Sequence, residues 1–234
     1  MQKYNILTTL VNKVQNIMLV GSPGCGKSMM AKRIPTILPP LTLAESLETT
    51  LIHSVAGKLN QNVSLITERP FRAPHHTISN VALVGGGTNP QPGEISLAHN
   101  GVLFCDELPE FSRPVLEVMR QPLEDRKISI NRAKYSVDYP CSFMFVASMN
   151  PCPCGNYPNM RKSTCSPLQI KRYQNRVSGP LLDRIDINMH VKPVDCSEIF
   201  SKTKSESSAD IRKRVEKARL IQQKRYENEG IYFN

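Results

Sequence analysis

Gly21-Ser22-Pro23-Gly24-Cys25-Gly26-Lys27-Ser28 follows the apolar run Ile17-Met18-Leu19-Val20 and precedes a helix-forming stretch that begins at Met29. The segment matches the pattern G-x-x-x-x-G-K-[ST] in full, in the strand, loop and helix context that this motif needs. Its glycines let the backbone curl so that N–H groups point at phosphate oxygens, and the following helix adds its positive end. We therefore expect residues 21–29 to bind a nucleotide, with Lys27 reaching the β- and γ-phosphates and the Ser28 hydroxyl holding Mg²⁺. The alternative is a glycine-rich turn without a ligand, which the preceding apolar strand disfavours.

Composition limits the class of protein. The chain has 234 residues, of which 40% are hydrophobic and 21% charged, as in a globular protein with one domain or one domain and part of another. The sequence has no apolar run long enough to span a bilayer, and its N-terminus lacks a secretory signal. We expect a cytoplasmic protein without a membrane partner.

The positive charge is unevenly distributed. The formal net charge is +10, and residues 150–194 alone carry seven Lys or Arg and two Asp or Glu. A basic surface is typical of proteins that bind nucleic acid. The alternative is an ordinary solvated surface whose positive charge partly serves nucleotide phosphates.

Three apolar runs end in polar residues that suit nucleotide chemistry. Besides the run before Gly21, Gly101–Cys105 ends in Asp106-Glu107, and Phe143–Met149 ends in Asn150. Helical patterns between these runs indicate a parallel α/β sheet, in which ligands bind beyond the carboxyl ends of the strands. Asp106 would then position Mg²⁺, Glu107 would polarise the attacking water, and Asn150 would bind the γ-phosphate or that water. Taken singly, these residues would be turn or capping residues.

The other segments are less diagnostic. Helical spacing predicts a leading helix over residues 1–15 and a helix over residues 41–59 that begins with a Thr42/Glu45 capping box. We expect the second helix to bury a stripe of Leu47, Leu51 and Val55. Residues 66–93 show no steady period and predict an inserted loop or hairpin, which includes Phe71, Arg72, His75 and His76. Residues 128–139 predict a hairpin with a basic tip. Residues 207–229 predict a charged helix that belongs to an incomplete second domain.

Five further motifs support a family resemblance. They are Arg69–Thr77 (RPFRAPHHT), Pro92–Gly101 (PGEISLAHNG), Asp106–Phe111 (DELPEF), Asn150–Gly155 (NPCPCG) and Ser178–Asp186 (SGPLLDRID). Together with the glycine-rich segment they make the chain resemble the AAA+ ATPases, in particular the magnesium-chelatase-like branch and its ComM/YifB family. The resemblance covers about residues 16–195.

The resemblance implies a P-loop NTPase (AAA+) fold, a three-layer α/β/α structure with a central, mostly parallel sheet. Residues 1–194 would form the nucleotide-binding core with inserted hairpins at about 66–93 and 128–139, and residues 195–234 the beginning of a helical lid. An N-terminal domain and the rest of the lid, which relatives carry, would lie outside this sequence.

The resemblance also implies an activity. Members form rings, usually hexamers, with ATP between subunits; Asn150 resembles sensor 1, and Arg184 resembles an arginine finger that reaches a neighbour's nucleotide. Arg172 and Arg176 lie in the same basic segment. The expected function is an ATP-driven motor that acts on single-stranded or branched DNA in recombination. The alternatives are an ATPase subunit of a magnesium chelatase and a truncated module that binds nucleotide without turnover.

The cysteines suggest one more site. Of the seven, four lie singly, and Cys152, Cys154 and Cys165 form a group. Many relatives have a fourth cysteine as Cys-x-Cys, where this chain has Ser163-Thr164-Cys165. Zn²⁺ would therefore need Cys141, a histidine or water to complete a tetrahedron.

Overall fold

The computed structural model describes residues 16–59, 63–87, 89–132, 135–159, 161–193 and 206–226. The leading helix predicted over residues 1–15 lies outside these ranges. Among the described residues, no helix combines the length and apolar character that a membrane crossing requires.

Strands and helices alternate along the chain. In chain order the strands are β1 (Ile17–Val20), β2 (Phe71–Arg72), β3 (Gly85–Gly86), β4 (Gln91–Pro92), β5 (Val102–Cys105), β6 (Lys127–Arg132), β7 (Tyr135–Pro140), β8 (Met144–Met149) and β9 (Ile187–His190). The helices are α1 (Lys27–Ile37), α2 (Leu43–Val55), α3 (Asn80–Val84), α4 (Glu94–Leu97), α5 (Arg113–Val118), α6 (Arg120–Asp125), α7 (Pro167–Gln174), α8 (Gly179–Leu182) and α9 (Ser208–Tyr226), with a 3₁₀ turn at Leu108–Glu110.

A five-stranded parallel sheet forms the centre of the fold. Its order is β2-β5-β8-β1-β9, so the three apolar strands predicted from the sequence are direct neighbours. Alternate side chains enter different cores, with Ile17 and Leu19 in one and Met18 in the other. Burial on both faces explains why these strands are continuously apolar. The predicted α/β fold with a mostly parallel central sheet is confirmed.

Helix α2 buries a different face from the one predicted. Its capping box is present, since Thr42 Oγ1 accepts from the Glu45 N–H at 3.2 Å and Glu45 accepts from the Thr42 N–H at 2.8 Å. The predicted stripe of Leu47, Leu51 and Val55 is wrong, because these side chains are 56%, 66% and 47% exposed. The residues that α2 buries are Ser46, Thr49 and Ile52.

The two predicted excursions contact each other. The hairpin expected over residues 128–139 is present as β6 and β7, with its tip at 133–134 outside the described residues. Residues 66–93 contain more regular structure than expected: Phe71–Arg72 is an edge strand of the central sheet, followed by α3 and the short pair β3–β4. The Tyr139 hydroxyl donates to the Pro90 carbonyl at 3.0 Å, which joins the two excursions.

Helix α9 packs on the helix that follows the glycine-rich loop. Ile211 and Val215 are buried in the same core as β1, and the Arg212 guanidinium donates to the Thr36 carbonyl at 2.6 and 3.1 Å. Ile221, further along the same helix, is 62% exposed. Residues 194–205 and 227–234 lie outside the described ranges, and the division into core and lid remains a prediction.

Candidate nucleotide-binding site

The glycine-rich loop joins β1 to α1 at the carboxyl ends of the parallel strands. Gly24 and Gly26 have φ angles of +74° and +88°, a left-handed conformation that favours glycine. Gly21 has no room for a side chain, because a Cβ atom there would lie 2.4 Å from the Val191 carbonyl oxygen. Met29, in the first turn of α1, is 65% exposed. The residues thus provide the curled backbone and helix start that phosphate groups require.

The Lys27 ammonium connects this loop to the end of β8. Lys27 is only 8% exposed, and its Nζ donates to the carbonyls of Gly21 at 2.7 Å and Ser22 at 3.0 Å. It also donates to Asn150 Oδ1 at 3.1 Å. Since Gly21 N–H donates to the Met149 carbonyl at 3.2 Å, Asn150 is held beside the loop by the backbone as well.

Asp106 meets Ser28, as expected for a magnesium site. Ser28 Oγ donates to Asp106 Oδ2 at 2.6 Å, although the two residues are 78 positions apart. The other carboxylate oxygen accepts from the Ser148 hydroxyl and, at 3.1 Å, from the Glu107 N–H. A hydroxyl and a carboxylate oxygen are ligands that Mg²⁺ accepts, so this pair fits the ion that the loop motif implies.

Ser148 was not predicted from the sequence. It is 1% exposed, and because Cys105 pairs with Ala147, the residues that follow them in the chain, Asp106 and Ser148, come together. The only signal was a hydroxyl within the otherwise apolar strand Met144–Met149, and such a small residue is usually read as a filler. Its role follows from the strand pairing.

Glu107 points into a more open environment. Its backbone is left-handed, with φ of +53°, and its side chain is 55% exposed. His76 Nδ1 lies 3.9 Å from Glu107 Oε2. The centroid of the His76 ring lies 4.0 Å from that of His75 and 6.4 Å from that of Phe111, the second pair in an edge-to-face arrangement. The RPFRAPHHT segment therefore reaches the carboxylate expected to activate water, a contact that sequence analysis did not predict.

Arg184 lies near the amino ends of the parallel strands, at the other end from the glycine-rich loop. It comes three residues before β9, whose first residue, Ile187, pairs with Ile17 at the beginning of β1, whereas the glycine-rich loop follows the end of β1. The Arg184 side chain pairs with Glu124 of α6 and is 38% exposed. Arg176 pairs with Glu110 at 2.8 Å. Within one chain, Arg184 is thus remote from Ser28.

The three grouped cysteines converge beside the glycine-rich loop. The sulfur atoms of Cys152, Cys154 and Cys165 all lie within 4.8 Å of one another. Hydrogen bonds from Ser163 and from the backbone of Asn156 and Thr164 lower the pKa of Cys154 to about 5. Cys141, suggested above as a fourth ligand, lies elsewhere: its thiol contacts the Pro122 carbonyl, and burial raises its pKa to about 12.

Comparison with known proteins places these features in a family. The sequence model described as "Magnesium chelatase, subunit ChlI" matches residues 5–199. The Competence protein ComM of Haemophilus influenzae is 46% identical over 229 residues, which is 97% of this chain and 45% of that protein. The uncharacterized protein YifB of Escherichia coli is 47% identical over 212 residues, 90% of this chain and 41% of that protein. The chain thus spans less than half the length of these relatives.

More distant similarities are consistent with the same fold. A magnesium-chelatase subunit ChlI of Euglena gracilis is 24% identical over 167 residues, 62% of this chain and 48% of that protein. Among solved structures, NtrX from Brucella abortus in complex with ADP superimposes with a TM-score of 0.52 at 17% identity, covering 82% of this chain and 35% of that one. At this identity the likeness concerns the fold alone.

Proposed function

The chain belongs to the magnesium chelatase ChlI family of AAA+ proteins, and on that premise we propose that it binds and hydrolyses ATP as a subunit of a motor. The observation that carries the proposal is the meeting of Ser28, Asp106, Lys27 and Asn150 at one edge of the sheet. These residues arrive from three strand ends, and each has a side chain suited to a triphosphate or its metal.

The binding step depends on residues already in contact. The backbone of residues 21–28 would cradle the phosphates, and Lys27 would exchange its bonds to loop carbonyls for bonds to phosphate oxygens. Ser28 and Asp106 would hold Mg²⁺, which when bound neutralises charge on the β- and γ-phosphates. Ser148 orients the carboxylate of Asp106 for this role.

Glu107 would orient and deprotonate the attacking water. Its carboxylate is 55% exposed and follows Asp106 directly in the chain, so it is open to water next to the residue expected to hold the metal. We expect Glu107→Gln to lower the ATPase rate by about 10²- to 10⁴-fold, the usual contribution of a general base, while ATP still binds. Glu110→Gln is the matched control, because Glu110 is an exposed carboxylate three residues away that pairs with Arg176. Equal rates in the two variants would contradict the role of Glu107.

Arg184 would complete the site of a neighbouring subunit in a ring, for which six subunits is the expected number. Arg184 lies near the amino ends of the strands, away from the nucleotide site of its own chain. This position favours contact with the nucleotide of a neighbouring subunit. Turnover per subunit should rise with protein concentration and disappear in Arg184→Ala. Glu124→Ala breaks the same ion pair and keeps the guanidinium, so it should keep most of the activity. A similar loss in both variants would indicate a structural ion pair instead.

The substrate we propose is DNA, single-stranded or branched. The basic segment supports this choice, because Arg161 and Lys162 just before Cys165 and Lys171 and Arg172 just after it are all exposed. The similarity to a competence protein supports it as well. Single-stranded DNA should stimulate ATP hydrolysis, and the effect should weaken steeply with salt because counterion release drives such binding. ATPase activity that DNA leaves unchanged at low salt would count against this substrate.

A chelatase subunit is the second candidate, since the matching family model bears the name of subunit ChlI. That function predicts stimulation by a large chelatase subunit and not by DNA. The two measurements therefore separate the candidates.

A further inference from the structure

Three thiols meet on the loop that follows the predicted sensor asparagine. Cys152 and Cys154 lie in one tight turn, and Cys165 directly precedes Ser166, the N-cap of α7. The sulfur atoms of Cys152 and Cys154 are 3.3 Å apart. In a tetrahedral site with metal–sulfur bonds of about 2.3 Å, neighbouring sulfurs lie about 3.8 Å apart. The observed spacing is close to that of thiolates that share one ion.

The surroundings of the sulfurs resemble the outer shell of a metal site. The Tyr157 N–H donates to Cys152 Sγ at 3.4 Å, and Ser163 Oγ lies 3.5 Å from Cys154 Sγ. Residues 152–155 form a turn in which the Gly155 N–H donates to the Cys152 carbonyl at 2.9 Å. Donors of this kind orient metal-ligating thiolates and tune their affinity.

We propose that Cys152, Cys154 and Cys165 bind one thiophilic metal ion, of which Zn²⁺ is the commonest, and that this ion holds the loop against the glycine-rich phosphate loop. Soft thiolates select Zn²⁺ or Cu⁺ over Mg²⁺, so the site is chemically distinct from the one at Ser28 and Asp106.

The Ser163 hydroxyl lies next to the cysteine group. Its hydroxyl contacts Cys154 Sγ and also accepts from the Cys165 N–H at 3.4 Å, so it lies beside two of the three ligands. No fourth His, Cys, Asp or Glu joins the group within the part of the chain that the structure describes. Three thiolates leave one coordination position for water, and the ion is held less tightly than by four thiolates.

The same loop contacts the phosphate loop directly. Gly155 packs on Pro23 so closely that a Cβ atom on Gly155 would lie 2.3 Å from Pro23 Cδ. The two loops also form walls of one cavity of about 480 Å³, lined by Ser22 on one side and Asn156, Tyr157 and Pro158 on the other. The coupling part of the proposal rests on the proposed nucleotide-binding function, because it predicts that the ion favours the loop conformation that accepts phosphates.

Metal binding is tested without reference to ATP. The full chain is purified with a phosphine reductant, stripped with a chelator and titrated with Zn²⁺ and with Co²⁺ as a spectroscopic probe. We expect one ion per chain and the absorption bands of a tetrahedral cobalt thiolate site. Cys154→Ser should lose both, with circular dichroism and the thermal midpoint checking that it folds.

A gain-of-function variant keeps the test decisive if Cys154→Ser does not fold. Ser163→Cys supplies a fourth thiol where the hydroxyl now lies, and it should tighten Zn²⁺ binding by about tenfold or more relative to the matched control Ser163→Ala, a typical size for a change in the shell of a metal site. Failure of the wild-type chain to bind a stoichiometric ion, or equal affinities of Ser163→Cys and Ser163→Ala, would overturn the assignment.

The coupling has its own readout. Zn²⁺-loaded protein should bind a fluorescent ATP analogue several-fold more tightly than stripped protein, and Cys154→Ser should bind it like stripped protein. A stoichiometric ion that leaves nucleotide affinity unchanged would overturn the coupling alone. Absence of nucleotide binding in both forms, with the ion present, would instead refute the proposed function.

Discussion

Replacing Ser148 by alanine tests the arrangement at the sheet edge where it is least obvious from the sequence. The Ser148 side chain is 1% exposed and donates to Asp106 Oδ1. Among the described residues, alanine would leave that oxygen with only the Glu107 N–H as a donor, at 3.1 Å. Because alanine fits the same space, the variant creates little cavity, and it removes the two hydrogen bonds of the Ser148 hydroxyl: the one it donates to Asp106 Oδ1 and the one it accepts from the Glu107 N–H at 3.4 Å.

The expected loss follows from the charge of the acceptor. A hydrogen bond to a charged group contributes about 1.5–3 kcal/mol, and about 1.4 kcal/mol corresponds to a factor of ten. If Ser148 holds Asp106 in the orientation that binds Mg²⁺, Ser148→Ala should weaken Mg²⁺-dependent ATP binding by roughly 10- to 100-fold. Affinity measured in a chelator should change little.

A titration with a fluorescent ATP analogue, with Mg²⁺ and with a chelator, measures both quantities. Ser96→Ala is the matched control, because Ser96 is fully buried and its Oγ has no hydrogen-bond partner among the described residues. The reasoning is refuted if Ser148→Ala binds Mg²⁺-ATP as tightly as Ser96→Ala, or if it loses the same affinity with and without the metal.

Three further predictions address the fold, the pH dependence and the loop. Ile52→Ala should lower the free energy of unfolding by about 2–5 kcal/mol and Leu47→Ala by about 0.5 kcal/mol or less, as urea denaturation would measure, because only the first side chain is buried. Burial lowers the pKa of His99, and the Ser142 N–H donates to its Nδ1 at 3.0 Å, so the neutral ring is favoured in the folded state. The contribution of His99 to the free energy of unfolding should therefore be complete above about pH 6.5, the ordinary pKa of histidine in an unfolded chain, and should fall below that pH by up to about 1.4 kcal/mol per pH unit. Unfolding curves at pH 7.5 and 5.5 measure this loss, which should be smaller in His99→Gln than in the wild type. Lys27→Ala should weaken ATP binding by at least about tenfold in a nucleotide titration, since it removes a charge-assisted contact to phosphate; unchanged affinity would contradict the role of the loop.

The central sheet and the approach of the strand-end residues to one another could be predicted because local patterns sufficed. Apolar runs that end in Lys27-Ser28, Asp106 and Asn150 identify strand ends, and parallel strands bring such ends to the same edge. The contact between Ser28 and Asp106 follows from that rule, and the structure confirms it at 2.6 Å.

Features that depend on tertiary packing could not be predicted. Counting apolar residues placed the leucines of α2 inward, but the helix buries Thr49, whose hydroxyl is satisfied by the Glu45 carbonyl at 2.7 Å. Once its hydrogen bonds are made within the protein, a polar side chain can occupy a buried position, and hydrophobicity alone then indicates the wrong face. The approach of His76 to Glu107 depends on the path of an aperiodic segment, for which the sequence gives no period to read.

The binding of Mg²⁺ and ATP to wild type and to Asp106→Asn tests the central claim most directly. Calorimetric titration with Mg²⁺ and with a chelator gives the gain in ATP affinity that the metal supplies to each protein. If Ser28 and Asp106 hold the metal beside the phosphates, Mg²⁺ strengthens binding in the wild type and most of this gain is lost in Asp106→Asn, while metal-free binding remains. An equal gain in both proteins would contradict the account, because the carboxylate that ends β5 would then take no part in holding the metal.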